Sequence, residues 1–325
     1  MPIKIPDQLP ARATLESENI FVMTEHRAMH QDIRPLNVVI LNLMPTKIVT
    51  ETQLLRRLSN TPLQVQVEFL QTESYKPQHV NENHMESFYT TFSRIEHRRF
   101  DGMIITGAPL ADMAYEDVSY WAELCKIMDW AETHVHCTMY ICWGALAGLY
   151  YHYGVPTVMY DEKMSGVYKN RVLKKSSPFV RGFDDIFHAP HSREVGVLSE
   201  DVLKVPELEI LADTENGGPT FIKTTDSSKF FVLCHLEYDA NTLALEYLRD
   251  LEKGIHPNVP VNYFPNDDPK KKPLVTWRSA GQLMFSNWLN YYVYQTTPYD
   301  LDAKGQVPGK DTSLAHSSSG LPAKQ

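Results

Sequence analysis

The stretch from Thr133 to Tyr160 contains no Asp, Glu, Lys or Arg, and it limits the possible folds more than any other part of the chain. A charge-free run of this length can span a bilayer or lie buried in a core. Three glycines and Pro156 interrupt it, and the mean hydropathy of the whole chain is −0.33. We therefore interpret the run as a buried parallel strand that leads into a buried helix, and expect no membrane segment.

Short apolar runs of the kind that form buried strands recur along the chain. Pro, Gly or polar residues bound them, as is typical of strand ends. The predicted strands are residues 36–44, 63–69, 102–106, 138–141 and 229–234. In 63–69 apolar and polar residues alternate, which predicts one solvated face and a position at or near the edge of the sheet.

Helical spacing of apolar residues separates these strands. Thr50 and Gln53 match a capping box, which predicts a helix that begins at Thr50 and ends near Asn60. Further helices are predicted at 86–96, 117–132, from 143 onward, at 241–253 and at 277–295. Alternating strands and helices predict an α/β fold with a doubly wound, mostly parallel sheet.

A single domain accounts for this alternation. We expect residues 1–34 to form an N-terminal arm packed on the core and residues 35–300 to form one α/β domain. Residues 301–325 are Gly-, Ser-, Pro- and Lys-containing, which is typical of a disordered tail. Between 155 and 211 the apolar runs are short and split, which predicts strand and loop insertions that decorate the sheet.

Composition narrows the function classes. A formal charge of −9, from 31 Lys and Arg against 40 Asp and Glu, argues against nucleic acid as a partner. Four cysteines are too few for a disulfide scaffold, and the first residues lack an apolar signal-peptide core, so we expect a cytoplasmic protein. His134, His136 and Cys137 have no second Cys/His pair nearby, so we expect no metal site.

Cys142 lies where a predicted strand ends and a predicted helix begins. This strand–turn–helix arrangement can hold a nucleophile on a tight turn, where the helix N-terminus favours a thiolate. The neighbouring Trp143 backbone N–H can donate to an oxyanion. The alternative is an inert core cysteine, because free cysteines are among the most buried residues.

His235 and Glu237 directly follow the last predicted strand. If the chain is still extended there, both side chains point the same way, so the carboxylate can orient the imidazole while the imidazole accepts a thiol proton. Alone the pair could be a surface coincidence. Together with Cys142 it predicts nucleophilic catalysis at the carboxyl edge of the sheet.

Several long motifs carry a family resemblance. They are LNLMPTKIVTETQ (41–53), LSNTPLQ (58–64), TGAPL (106–110), ICW (141–143), HSR (191–193) and HLEY (235–238). Over about residues 1–300 the chain resembles the homoserine O-succinyltransferase family of bacterial methionine biosynthesis. The resemblance implies a class I glutamine amidotransferase-like (flavodoxin-like) fold and a homodimer. It also implies ping-pong acyl transfer from succinyl-CoA to L-homoserine through an acyl-cysteine, with no cofactor.

The resemblance also assigns roles to residues that the local pattern would not select. It implies that Lys47 acts at the oxyanion with the Trp143 N–H; a solvated lysine at a helix entry is the alternative. It implies substrate binding by Lys163 and Ser192. Arg249 would bind the homoserine carboxylate and Glu246 its amine, the alternative for these two being a surface ion pair.

Position 111 bears on the choice of acyl donor. In this family a carboxylate there accompanies acetyl transfer and a small residue accompanies succinyl transfer, because a fixed negative charge repels the second carboxylate of a succinyl group. Ala111 is small and uncharged, so we expect succinyl-CoA. The alternatives are a homoserine O-acetyltransferase that uses acetyl-CoA, a glutamine amidotransferase with the same Cys/His/Glu chemistry, or a binding module with a dead site.

Overall fold

A twelve-stranded sheet forms the centre of the fold. The computed structural model describes residues 3–6, 8–18, 22–24, 35–59, 61–74, 82–111, 113–215 and 217–297, so the predicted tail at 301–325 lies outside the described residues. The strands are β1 Ile3–Ile5, β2 Val22–Thr24, β3 Leu36–Leu41, β4 Val65–Gln71, β5 Tyr89–Thr91, β6 Phe100–Ile105, β7 Val135–Ile141, β8 Val158–Val172, β9 Ile186–Gly196, β10 Leu208–Thr214, β11 Gly218–Thr224 and β12 Lys229–Val232.

The sheet is parallel on one side and antiparallel on the other. Its order is β2-β1-β4-β3-β6-β7-β12-β11-β10-β8-β9, with β5 also paired to β4. Every pairing from β2 to β12 is parallel, and the remaining pairings, from β12 to β9, are antiparallel. The predicted α/β class with a mostly parallel sheet is confirmed.

Helices cover both faces of this sheet. They are α1 Ala11–Ser17, α2 Lys47–Leu58, α3 Glu82–Phe88, α4 Phe92–Ile95, α5 Trp121–His134, α6 Trp143–Tyr153, α7 Ser199–Leu203, α8 Thr242–Glu252 and α9 Arg278–Asn287, and a π-helical segment, Trp288–Tyr294, extends α9. Successive β3 residues alternate between two cores: Val38 and Ile40 pack with α2 and α9, whereas Val39 and Leu41 pack with α5 and α6. No helix among the described residues is long and apolar enough to cross a membrane.

Two local predictions are wrong. Helix α2 begins at Lys47 instead of Thr50, whose hydroxyl donates to the Thr46 carbonyl (3.2 Å) from within the helix. The helix predicted at 86–96 is interrupted by β5, since the β-favouring residues of Tyr89–Thr91 pair with β4. Strand β4 lies near one edge of the sheet, as predicted, because among the described strands only the short β1, β2 and β5 lie outside it.

The insertions expected between 155 and 211 form a more regular structure than short strands. Strands β8 and β9 make a long antiparallel hairpin, with a register irregularity between Met159 and Met164. The main-chain N–H of His235, which follows β12, donates to the carbonyl of Pro190 in β9 (2.8 Å). The hairpin therefore reaches the carboxyl edge of the parallel strands.

Candidate active site

Cys142 occupies a strained turn between β7 and α6. Its backbone has φ 51° and ψ −117°, a conformation that non-glycine residues rarely adopt. The turn requires Gly144 behind it, because a Cβ there would lie 2.5 Å from the Thr106 carbonyl oxygen. Cys142 is 9% exposed, so its side chain is largely enclosed.

His235 and Glu237 form a buried pair beside this sulfur. The Nδ1 of His235 donates to Oε1 of Glu237 over 2.6 Å, and the imidazole is also hydrogen-bonded to Cys142. Burial lowers the pKa of His235, but the charges and hydrogen bonds of Cys142 and Glu237 raise it more, so its pKa is well above the usual value. The chain turns after His235 instead of remaining extended, yet the predicted contact forms.

The other three cysteines lie in environments that disfavour nucleophilic attack. Burial raises the pKa of Cys125 to about 11 with help from Asp129, and burial raises that of Cys234 well above the usual range. The sulfur of Cys137 accepts a hydrogen bond from the Trp288 indole N–H (3.2 Å) in the core. Among the four thiols, Cys142 is the one hydrogen-bonded to the imidazole.

Two groups are candidates to stabilise a developing oxyanion, the Trp143 N–H and the Lys47 ammonium. The Trp143 N–H is the first of α6 and therefore lacks an acceptor in a preceding turn. Lys47, the first residue of α2, is only 7% exposed, which contradicts the solvated alternative; its ammonium donates to the Asn42 carbonyl. Burial lowers the pKa of Lys47 to about 8, although Glu51 raises it.

A second group of polar side chains connects α8 to the histidine. The ring of Tyr238 stacks on that of His235 with centroids 4.1 Å apart, and its hydroxyl donates to Glu246 (2.8 Å). The other oxygen of Glu246 accepts from the Ser192 hydroxyl (2.6 Å). The structure thus brings two predicted substrate-binding residues, Ser192 and Glu246, together beside the Cys/His/Glu group.

Lys163 and Arg249 meet at an aspartate. Lys163 Nζ lies 3.0 Å from Asp250 Oδ2, and Arg249 donates from Nε and Nη2 to Oδ1 (2.8 and 2.7 Å). The surface ion pair considered between Arg249 and Glu246 is absent from the described contacts of this region. The side chain of Arg249 remains 50% exposed, so its guanidinium is accessible to a ligand.

Ala111 lines a cavity of about 320 Å³ that also borders Trp143, the residue after Cys142. Leu110, Tyr115 and Val195 line it as well. The carboxylate of Glu116 also lies on the cavity wall and accepts a hydrogen bond from Tyr150 (2.6 Å). Space for an acyl group is therefore present beside Trp143 and Ala111.

Sequence reasoning did not select Tyr238, Asp250 or Arg57. Tyr238 lies within the HLEY motif, but its stacking partner and its acceptor come from different elements. Arg57 is buried near Glu237. Burial lowers the pKa of Arg57 to about 10, and the charge of Glu237 is the largest effect that opposes this shift. In the part of the chain that the structure describes, no group of three or more His, Cys, Asp or Glu is arranged to hold a metal ion.

These features define an α/β protein with a Cys–His–Glu group at the carboxyl edge of a mostly parallel sheet. The family profile of homoserine O-succinyltransferase matches residues 2–299. Since the match covers more than half of the chain, this protein belongs to the homoserine O-succinyltransferase family.

Similar proteins carry a different acyl group in their names. A homoserine O-acetyltransferase of Methanomassiliicoccus intestinalis is 55% identical over 301 residues, which is 93% of this chain and 98% of that protein. The homoserine O-acetyltransferase of Clostridium acetobutylicum is 54% identical over 301 residues, 93% of this chain and 100% of that protein.

Solved structures with related folds are distant in sequence. SMU.1228c superimposes with a TM-score of 0.51 at 17% identity and covers 78% of this chain and 97% of its own. A glutamine amidotransferase from Thermotoga maritima has a TM-score of 0.49 at 11% identity and covers 79% of this chain and 98% of its own.

Proposed function

We propose that this protein transfers a succinyl group from succinyl-CoA to the hydroxyl of L-homoserine through a Cys142 thioester. Family membership supports the coarser activity, homoserine O-acyl transfer in methionine biosynthesis. The observation that carries the mechanism is the hydrogen-bonded series from Cys142 through His235 to Glu237.

In the first half-reaction the Cys142 thiolate attacks the carbonyl carbon of the acyl-CoA. The negative charge that develops on the carbonyl oxygen is stabilised by the Trp143 N–H and the Lys47 ammonium. The bond to the CoA sulfur then breaks, and the imidazolium of His235 supplies the proton that the departing thiolate takes up. One thioester replaces another, so the acyl group remains activated.

In the second half-reaction neutral His235 accepts the proton of the homoserine hydroxyl as its oxygen attacks the Cys142 thioester. The carbon–sulfur bond breaks, which restores the thiolate and releases the O-acyl ester. Arg249 pairs with the homoserine carboxylate, Glu246 and Ser192 hold the amine end, and Lys163 fixes Asp250 beneath Arg249.

Incubating the protein with succinyl-CoA in the absence of homoserine tests this route. We expect an added succinyl mass on the peptide that contains Cys142, and its loss when homoserine is added, by peptide mass spectrometry. A parallel incubation with acetyl-CoA compares the donors. A modification on another residue, or none during active turnover, would contradict the acyl-cysteine.

Acetyl transfer is the second candidate, because relatives at 54–55% identity are named homoserine O-acetyltransferase. Ala111 favours succinyl-CoA because it leaves room and adds no negative charge to the cavity beside Trp143. A steady-state comparison of purified protein decides between them: a strong preference for acetyl-CoA would overturn the succinyl assignment.

Replacing Ala111 by glutamate should lower kcat/KM for succinyl-CoA by about tenfold or more and affect acetyl-CoA less, because it would add a second protein carboxylate, besides Glu116, to the cavity that would receive the succinyl carboxylate. Ala111→Gln is the matched control, since glutamine has the same size without the charge. Equal losses with both donors in the two variants would show that size alone matters and would refute the charge argument.

We further propose a cytoplasmic homodimer that needs no cofactor besides the acyl-CoA substrate. The dimer rests on the family resemblance. Sedimentation of the purified protein should give a mass of two chains, and a monomer would contradict the dimer. Activity should persist after extensive treatment with a chelator, and its loss would contradict a reaction without a metal cofactor. Cell fractionation should recover the protein with the cytosol, and a membrane-bound pool would contradict the cytoplasmic location.

A further inference from the structure

A buried polar group next to Lys47 is not used by the mechanism described above. Glu51 lies one turn after Lys47 in α2 and is 0% exposed. An isolated carboxylate at such a position is strongly destabilising unless donors or an opposite charge surround it. The side chains that contact Glu51 therefore show how its burial is compensated.

Glu51 accepts hydrogen bonds from two elements outside its own helix. The Tyr89 hydroxyl from β5 lies 2.7 Å from Oε1, and Nε2 of His84 from α3 lies 2.9 Å from Oε1 and 3.2 Å from Oε2. Carboxylate oxygens are acceptors, so the tyrosine and the histidine are the donors. Both are themselves buried.

Asn42, which follows β3, closes this network on Lys47. Its side-chain Nδ2 donates to the Tyr89 hydroxyl (2.8 Å), while its backbone carbonyl accepts from the Lys47 ammonium. The Lys47 ammonium also lies 5.8 Å from the centroid of the Tyr89 ring. Each polar group of Asn42, Tyr89 and Glu51 thus fixes the next, and the series ends at Lys47.

Electrostatics gives this network a consequence for Lys47. Burial favours the neutral amine, and the charge of Glu51 opposes that effect. Glu51 is the charged side chain that acts on Lys47 from α2, while His84 from α3 and Tyr89 from β5 direct their donors to Glu51. Without the carboxylate, burial alone would remain.

We infer that Glu51, held by His84 and Tyr89, is the positioning residue that keeps Lys47 cationic and directed at the acyl oxyanion. The inference rests on the proposed function, because it assumes that the ammonium of Lys47 acts on the reacting carbonyl. It assigns a reaction-related role to three residues that touch no substrate.

The Glu51→Gln variant tests this. With the counter-charge removed, the pKa of Lys47 falls from about 8, and the alkaline limb of the kcat/KM profile should move down by about one pH unit or more. Glu68→Gln is the matched control: it removes a carboxylate that pairs with Arg98 (2.8 Å) in an ion pair on β4, so its profile should equal that of the wild type.

A direct titration separates this inference from the proposed function. Lysine carrying ¹³C at Cε reports the Lys47 midpoint by NMR, with Lys47→Arg identifying the resonance. We expect the midpoint to fall in Glu51→Gln and, by less, in Tyr89→Phe, which keeps the ring but loses one donor to Glu51. An unchanged midpoint in both variants would overturn the inference. A lowered midpoint with an unchanged activity profile would support the electrostatic link and refute the role of Lys47 in catalysis.

Discussion

Replacing Cys142 by serine is expected to reduce acyl transfer by about 10⁴-fold or more and to abolish the covalent acyl adduct. The hydroxyl of serine is a much weaker acid and a poorer nucleophile than a thiol, so it cannot replace the sulfur in the proposed thioester. Steady-state transfer to homoserine and peptide mass spectrometry after incubation with acyl-CoA measure the two effects.

The control for this variant is Cys125→Ser, because Cys125 is a half-buried thiol on α5 that makes no contact with His235 among the described contacts. It should retain wild-type activity. Thermal unfolding of both variants separates a chemical defect from misfolding, since the strained turn at Cys142 is also part of the packing. Full activity of a folded Cys142→Ser protein would eliminate the acyl-cysteine route.

The turn that holds Cys142 was predictable because its signal is local. A charge-free strand, one polarizable residue and a helix with small residues follow one another without interruption in residues 135–153. Gly144 and Gly148 let that helix approach the sheet closely: a Cβ on Gly148 would lie 2.9 Å from the Tyr140 ring. Local sequence therefore determines both the turn and the packing that holds it.

Other features depend on contacts between distant segments and left no local signal. Strand β8 contains Asp161, Glu162 and Lys163 and has no clear period of two, so its long pairing with β9 could not be inferred. The helix predicted at 86–96 is interrupted because Tyr89–Thr91 pair with β4, and β4 is distant in the sequence. The role of Tyr238 likewise depends on Glu246 being brought to it by α8.

The mechanism that we propose requires His235 to serve two half-reactions that need opposite protonation states. In the free enzyme burial lowers its pKa, but the charges of Cys142 and Glu237 and its hydrogen bonds to them raise it well above the usual value, so the imidazolium is available to protonate the departing CoA thiolate. After acylation the sulfur carries no charge, so one of the raising influences is lost and the pKa falls. The neutral imidazole can then accept the homoserine proton.

The Glu237→Gln variant should therefore lose both orientation and charge at His235. We expect kcat to fall by about 10³- to 10⁴-fold, because an amide can favour the wrong tautomer, and the titration midpoint of His235 in the free enzyme, followed by NMR, to move to lower pH. Glu252→Gln, at an exposed position at the end of α8, is the matched control and should change neither quantity.

The two readouts have different physical origins, since the rate reports the tautomer and the midpoint reports the lost negative charge. A Glu237→Gln protein with an unchanged His235 midpoint and wild-type kcat would show that this carboxylate, despite its 2.6 Å hydrogen bond, does not support the histidine.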